Sequence, residues 1–143
     1  MNKLDAKIVA IETSDHIALI DLLVEGDTFT CVVIETPETA GYLRIGNGVS
    51  ILFKETEVSI AKNLSGQISL RNQIHAAIRQ IEKGRVLTKI TLDYKGAAIG
   101  SVITTRSANQ LGLKTGDVVI GLIKANEVSI MEANPSWNSV GSL

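Results

Sequence analysis

Aromatic residues and cysteine are scarce in this chain of 143 residues. Phenylalanine, tyrosine and tryptophan together make up 3% of the sequence, so the interior has to be built from valine, isoleucine, leucine and alanine. The same shortage disfavours a nucleic-acid interface that stacks bases on exposed rings. Cys31 is the only cysteine, which excludes an intrachain disulfide and predicts a small buried residue.

The chain also lacks a strong charge of either sign and any long apolar run. Its net charge is −1, and the basic residues are scattered among acids, so there is no electrostatic footprint for a phosphate backbone. No apolar run approaches the roughly 20 residues that span a bilayer, and no charged-then-apolar leader opens the sequence. We therefore expect a cytoplasmic protein that contacts neither nucleic acid nor membrane.

Features that would indicate an enzyme are missing as well. His16 and His75 do not occupy equivalent positions, and no nucleophile has an obvious base beside it. No group of side chains has the spacing of metal ligands. The sequence therefore predicts a binding protein and not a catalyst.

What the chain does contain is an internal repeat. Shifting residues 2–62 by seventy positions lays them on residues 72–132 without a gap, so that Gly26 falls on Gly96 and residues 57–60 fall on the identical residues 127–130. This agreement predicts two copies of one module, the first repeat and the second repeat. A module of about 60 residues is marginal alone, so we expect the copies to pack on each other or on other chains.

Each repeat is predicted to form five short strands with one brief helix after the third strand. In the first repeat the strands are expected at residues 6–11, 17–24, 29–34, 49–53 and 58–61, with a helix at 37–43. In the second repeat they are expected at 74–81, 86–92, 99–103, 118–123 and 128–131, with a helical turn at 107–111. The predicted class is all-β, with two tandem five-stranded barrel modules similar to an OB-fold.

The domain organisation follows from the repeat. Residues 1–63 form the first module, residues 64–68 a linker, and residues 69–132 the second module. Residues 133–143 are predicted to be a flexible tail.

The two repeats differ in residues that can bind an anion. Arg71 of the second repeat falls on Met1, and the first repeat has no residue left to match Ser69. Thr104 and Ser107 stand where the first repeat has Ile34 and Pro37, whereas Lys124 is kept as Lys54. Functional groups are therefore expected mainly in the second repeat.

These residues form a coherent set for a tetrahedral anion. Arg71 and Lys124 supply positive charge, and Ser69 supplies a neutral donor. Thr104 and Ser107 lie at the start of the predicted helix, where free backbone N–H groups already favour an oxyanion. Each residue alone could instead be a helix cap or a solvated surface side chain. Together they predict one anion site, with Lys54 as a candidate for a second.

The sequence resembles the molybdate-binding Mop module, also called TOBE. The resemblance rests on Ser69-Leu70-Arg71-Asn72-Gln73, the Lys83-Gly84 turn, Thr104 and Ser107, residues 111–116 and residues 123–125. It covers nearly all of residues 2–132, strongly in the second repeat and weakly in the first. Two tandem modules on a chain of this length are similar to the molbindins, a family of molybdenum storage or homeostasis proteins.

The resemblance implies a function and an assembly. It implies five-stranded OB-like barrels that bind molybdate or tungstate at interfaces between modules, in a homo-oligomer for which a trimer is favoured over a dimer. Ser69 and Arg71 match the family hallmark, Thr104 and Ser107 match its hydroxyl pair, and Lys124 matches its anion-binding lysine. The hallmark is expected to meet the hydroxyl and lysine set across an interface.

The chain departs from the family pattern at several positions. Leu70 replaces the hallmark alanine, Ala76 replaces a glycine, and the first repeat lacks the serine, the arginine and both hydroxyls. The first repeat is therefore expected to be a structural partner, and the number of sites per oligomer to be reduced. The alternative is an oxyanion-sensing or purely structural assembly module of a molybdate-responsive regulator or transporter system.

Overall fold

The protein, seen in a computed structural model, is described over residues 1–132, and the tail predicted at residues 133–143 lies outside these residues. The strands of the first repeat are β1 (Asn2–Ser14), β2 (Ile17–Val24), β3 (Asp27–Val33), β4 (Gly48–Phe53) and β5 (Ser59–Ala61). The second repeat forms β6 (Asn72–Lys83), β7 (Leu87–Tyr94), β8 (Ala97–Thr104), the helix α1 (Thr105–Gln110), β9 (Val118–Ile123) and β10 (Ser129–Glu132). The predicted all-β class with five strands per repeat is confirmed.

The described residues form two compact units, each with one five-stranded sheet. The second-repeat unit comprises Met1–Asn2 and Phe53–Glu127, and its strand order is β5-β9-β6-β7-β8. The first-repeat unit comprises Lys3–Leu52 and the described residues from Val128 onward, and its strand order is β10-β4-β1-β2-β3. One edge strand of each sheet thus comes from the other repeat.

Buried side chains explain why the end of the first repeat belongs to the second-repeat unit. Phe53 and Val58 are each 1% exposed, and the Ser101 hydroxyl donates a hydrogen bond to the Val58 carbonyl at 2.7 Å. Ser59 then pairs with Leu122 in the sheet. The compact units therefore do not follow the boundaries predicted at residues 1–63 and 69–132, which remain a description of the sequence repeat.

The two sheets share one pattern of burial. Strands β2 and β7 both alternate outward and inward residues, as half-buried strands do. The hairpins that follow them turn at Glu25-Gly26 and Lys95-Gly96, where all four residues have positive φ. Two consecutive residues with positive φ are typical of the type I′ turns that match strand twist. The core is mainly aliphatic, as the composition predicts, and it also contains the buried rings of Phe29, Phe53 and Tyr94.

The outer edge of β8 is covered in the second-repeat unit, which closes its sheet in part. The Asn2 side chain donates to the Gly100 carbonyl and accepts from the Gly100 N–H, both at 2.8 Å. An amide side chain that pairs with both backbone groups of one residue imitates a neighbouring strand. The edge is therefore not free to pair with another chain at this point.

The predicted helix at residues 37–43 is wrong, because the first repeat forms a hydrogen-bonded turn there. The amide groups of Thr39 and Ala40 both donate to the Thr36 carbonyl, and the Thr39 hydroxyl bonds the Thr36 backbone. Side chains that bond nearby backbone groups compete with helix formation, and Gly41 follows at once. In the second repeat the helix exists but begins at Thr105, two residues before the predicted start.

Candidate anion-binding site

The end of the sheet where β6 begins carries the two predicted cations. Asn72 pairs with Ile123 in the antiparallel sheet, so Arg71, which precedes Asn72, and Lys124, which follows Ile123, lie at neighbouring strand ends. Both residues are exposed, and Ser69 is exposed two residues earlier in the chain. Asn72 itself is fully buried and anchors the start of β6. This end of the unit therefore presents an arginine, a lysine and a serine to solvent.

Neither of the two family departures in the second repeat, Leu70 and Ala76, is an exposed side chain. Ala76 is 5% exposed and pairs with Val119, so its methyl group belongs to the core. Leu70 is half-buried, and its carbonyl accepts a hydrogen bond from the Gln73 side chain at 3.0 Å. This bond fixes the backbone between Ser69 and Arg71.

The hydroxyl pair forms the start of α1. Thr104 has extended backbone dihedrals, and its side-chain oxygen accepts the Ser107 N–H at 3.1 Å, which makes it the N-cap. The Thr104 hydroxyl also donates to the Ser107 hydroxyl oxygen at 2.8 Å. Because the Thr104 proton is used in this way, the Ser107 proton is the one that the pair can offer outward. Both side chains are exposed.

A second hydroxyl pair, which sequence reasoning did not identify as functional, anchors this helix start. The Thr105 hydroxyl lies 2.7 Å from the Thr88 hydroxyl and donates to the Gly84 carbonyl at 2.8 Å. Thr88 has no exposed surface, and the Thr105 N–H donates to the Val86 carbonyl at 2.8 Å. The first repeat has Ala18 and Glu35 at the positions of Thr88 and Thr105. This difference between the repeats is the sequence feature that could have identified the second hydroxyl pair.

The predicted residues fall into two groups within the second-repeat unit. Thr104 pairs with Leu87, and the adjacent Thr88 pairs with Lys83 at the far end of β6. The twelve residues of β6 span roughly 35 Å of strand at about 3.3 Å per residue. The unit therefore brings Arg71 and Lys124 together and holds the hydroxyl pair at the opposite end. Lys124 accompanies the hallmark here, and not the hydroxyl pair with which the resemblance grouped it.

The corresponding loop of the first repeat is closed by its own side chains. The Tyr42 hydroxyl donates to the Glu35 carboxylate at 2.5 Å, and the Asn47 side chain donates to the Tyr42 carbonyl at 2.8 Å. Burial, followed by this bond to Glu35, raises the pKa of the Tyr42 hydroxyl above its usual range. Exposed Ile34 and Pro37 replace the hydroxyl pair and the Glu35 carboxylate lies beside Ile34 in the chain, so this loop lacks the donors expected for an anion. Lys54 is exposed after β4, and its carbonyl accepts the Glu57 N–H.

Two kinds of feature are absent from residues 1–132, a cluster of metal ligands and a membrane-spanning helix. These residues contain no group of three or more histidine, cysteine or acidic side chains that could hold a metal ion. Across the same residues, no helix has the length and apolar character needed to cross a membrane. Cys31 is fully buried, as the sequence predicts.

Comparisons with known proteins identify the domain type and the fold. The family model described as TOBE domain matches residues 68–130. A crystal structure of the cytoplasmic molybdate-binding protein ModG with molybdate bound superimposes with a TM-score of 0.86 at 29% identity, over 92% of this chain and 96% of that one. This similarity confirms the tandem OB-like fold.

Two curated relatives share part of this chain, and one of them is matched over nearly its whole length. It is 36% identical over 81 residues to the molybdenum import ATP-binding protein ModC of Brucella abortus, of which it spans 23%. It is 32% identical over 65 residues to molybdenum-pterin-binding protein 3 of Clostridium pasteurianum, and the match covers 45% of this chain and 96% of that relative. The chain therefore belongs to the TOBE-domain family of molybdenum-pterin-binding proteins.

Proposed function

We propose that this protein binds molybdate at sites between subunits of a homo-oligomer. Ser69, Arg71 and Lys124 of one chain supply one half of each site, and Thr104 and Ser107 of another supply the other half. The observation that carries the proposal is the separation of two exposed groups of hydrogen-bond donors along β6. Neither half surrounds a tetrahedral anion alone, whereas two chains together offer donors from both sides.

The binding mechanism is replacement of water by fixed donors. Arg71 offers directed paired N–H groups, and Lys124 offers a compact charge. Hydrogen bonds to charged groups contribute roughly 1.5–3 kcal/mol each, which offsets dehydration of the anion. Molybdate and tungstate have nearly the same size and charge, so tungstate is expected to bind as well. Sulfate is smaller and is expected to bind less tightly because its contacts are stretched.

An uneven distribution of apolar surface supports assembly. Ile17, Leu19 and Leu23 lie on one face of β2 and are 49%, 37% and 42% exposed. The second repeat has Leu87, Lys89 and Asp93 at these positions. Three exposed aliphatic residues on one strand face favour contact with another copy. A trimer is favoured over a dimer by the resemblance to two-module storage proteins.

The biological role that fits this chemistry is storage or buffering of the oxyanion in the cytoplasm, without a catalytic step. ModG is described as cytoplasmic and molybdate-binding, which supports this role. The first repeat then acts as a structural partner, with Lys54 as a candidate for a second site. The competing functions are an oxyanion-sensing module of a molybdate-responsive system and a purely structural assembly module that binds no anion.

The test is isothermal titration of phosphate-free protein with molybdate. Arg71→Ala and Lys124→Ala are each expected to weaken binding at least about tenfold, because each removes a charge-assisted bond. Arg79→Ala is the matched control, since Arg79 pairs with Asp93 on an exposed strand face. If the wild type binds molybdate and neither Arg71→Ala nor Lys124→Ala weakens that binding, the assigned site is wrong. An oligomer that takes up no molybdate would support the assembly module.

A further inference from the structure

Lys62 is the residue that follows β5, and its side chain contacts the C-terminal end of α1. Its ammonium group donates to the Leu111 carbonyl at 3.2 Å, to the Gly112 carbonyl at 3.3 Å and to the Asp117 carboxylate at 3.2 Å. The last carbonyls of a helix have no intrahelical partner and carry partial negative charge. Lys62 therefore satisfies the helix end, and it directly follows the edge strand β5 that the first repeat supplies.

Asp117 joins this contact to the centre of the sheet. Its carboxylate accepts the Lys114 N–H at 2.9 Å, and its carbonyl accepts the Ile78 N–H of β6 at 2.8 Å. The Lys114 N–H and then the Lys62 ammonium lower the pKa of the Asp117 carboxyl. An ionised carboxylate accepts hydrogen bonds but cannot donate one to a carbonyl. Lys62 is the side chain that supplies the donor to both carbonyls at this helix end.

The corresponding turn of the first repeat has a different side-chain donor for its backbone carbonyl. Asn47 stands at the position of Asp117, and its amide group donates directly to the carbonyl of Tyr42, which stands at the position of Gly112. The residue at the position of Lys62 is Glu132, which cannot donate when it is ionised. The first repeat therefore combines asparagine with glutamate at these two positions, and the second repeat combines aspartate with lysine.

We propose that Lys62 is a positioning residue for the hydroxyl pair Thr104 and Ser107. A helix of six residues is too short to hold its own geometry, so its two ends must be fixed from outside. Thr105 fixes the first turn, and Lys62 fixes the last. The Leu111 N–H donates to the Ser107 carbonyl at 2.9 Å, so movement of the helix end reaches the proposed binding serine directly.

This inference rests on the proposed function, and titration with molybdate tests both. Lys62→Met keeps the aliphatic stem but removes the donor, and it is expected to weaken molybdate binding about tenfold, as loss of a supporting partner does at other sites. Lys62→Arg is expected to bind like the wild type. In Lys62→Met/Asp117→Asn the new amide can donate to the Gly112 carbonyl, as Asn47 does for Tyr42, so binding is expected to recover.

A second measurement follows the helix without any ligand. Hydrogen exchange of the Leu111 and Gly112 amide groups is expected to be faster in Lys62→Met and to slow again in the double variant. A wild-type chain that takes up no molybdate overturns the proposed function, and the positioning role falls with it. Tight wild-type binding that Lys62→Met leaves unchanged overturns the positioning role alone. Failure of Asp117→Asn to restore binding in the Lys62→Met chain overturns it too.

Discussion

At the scale of single residues, Cys31 shows how a strand position controls chemistry. Its side chain has no exposed surface and lies opposite Ile20 of β2. Burial, followed by the nearby Asp21 carboxylate, raises the pKa of the Cys31 thiol from 9.0 to about 12. Because thiolates and not thiols react with disulfide reagents, the folded protein is expected to be inert to them.

The raised pKa of Cys31 leads to a prediction about alkaline stability. Above about pH 9 the thiol ionises in the unfolded chain but stays protonated in the folded one until about pH 12. The unfolded state then binds fewer protons, so the free energy of unfolding falls as the pH rises through this range. Denaturant titrations of the wild type and Cys31→Ala at pH 7 and pH 10 measure the effect. An equal fall in both proteins would show that Cys31 is not its source.

At the scale of elements, the turn after β4 packs closely against the edge strand β8 at a position where β8 has a glycine. A methyl group on Gly100 would lie 2.8 Å from a Glu55 carboxylate oxygen and 3.1 Å from the Glu55 Cγ. Glu55 is held by the Met1 ammonium at 3.1 Å and by Lys89 at 3.4 Å. At the positions seventy residues away the sizes are reversed, since Thr30 matches Gly100 and Ala125 matches Glu55.

We therefore expect Gly100→Ala to destabilise the protein by about 1–2 kcal/mol, because the carboxylate must leave its two partners. Glu55→Ala in the same chain removes the clash and is expected to restore most of the lost stability. Thermal or denaturant unfolding of both single variants and the double variant gives the coupling free energy. Gly41→Ala is the control, since a methyl group there meets no atom within 4 Å. Additive effects of the two substitutions would exclude the clash.

Most elements were predictable from the sequence because their signals are local. Short runs rich in valine, isoleucine and leucine marked most strands, and glycines marked the hairpins. The helix predicted at residues 37–43 failed, since a threonine side chain competes for the backbone there. Three other features depend on which distant strands pair and in which register. They are the exchange of edge strands, the Lys62 contact and the placement of Arg71 and Thr104 at opposite ends of the unit. A repeat with identical periods in both copies carries no sign of which partner each strand selects.

At the scale of the whole molecule, the position of the two donor groups predicts shared sites. Arg71 directly precedes β6, whereas Thr104 lies at the end of β8, next to the far end of β6 across β7. Two defective chains should therefore complement each other, one with Arg71→Ala and the other with Thr104→Ala/Ser107→Ala. The second chain loses an N-cap worth about 1 kcal/mol, so its fold and oligomer size are checked before mixing.

Neither chain alone is expected to bind molybdate tightly. When the two are unfolded and refolded together, some interfaces join the intact cations of one chain to the intact hydroxyls of the other. Isothermal titration of the mixture is then expected to reveal a fraction of sites with wild-type affinity. Refolding each variant separately before mixing is the control, because it leaves every interface defective. Sites built within one chain would give no recovery in either preparation, since each chain would carry its own defect into every site.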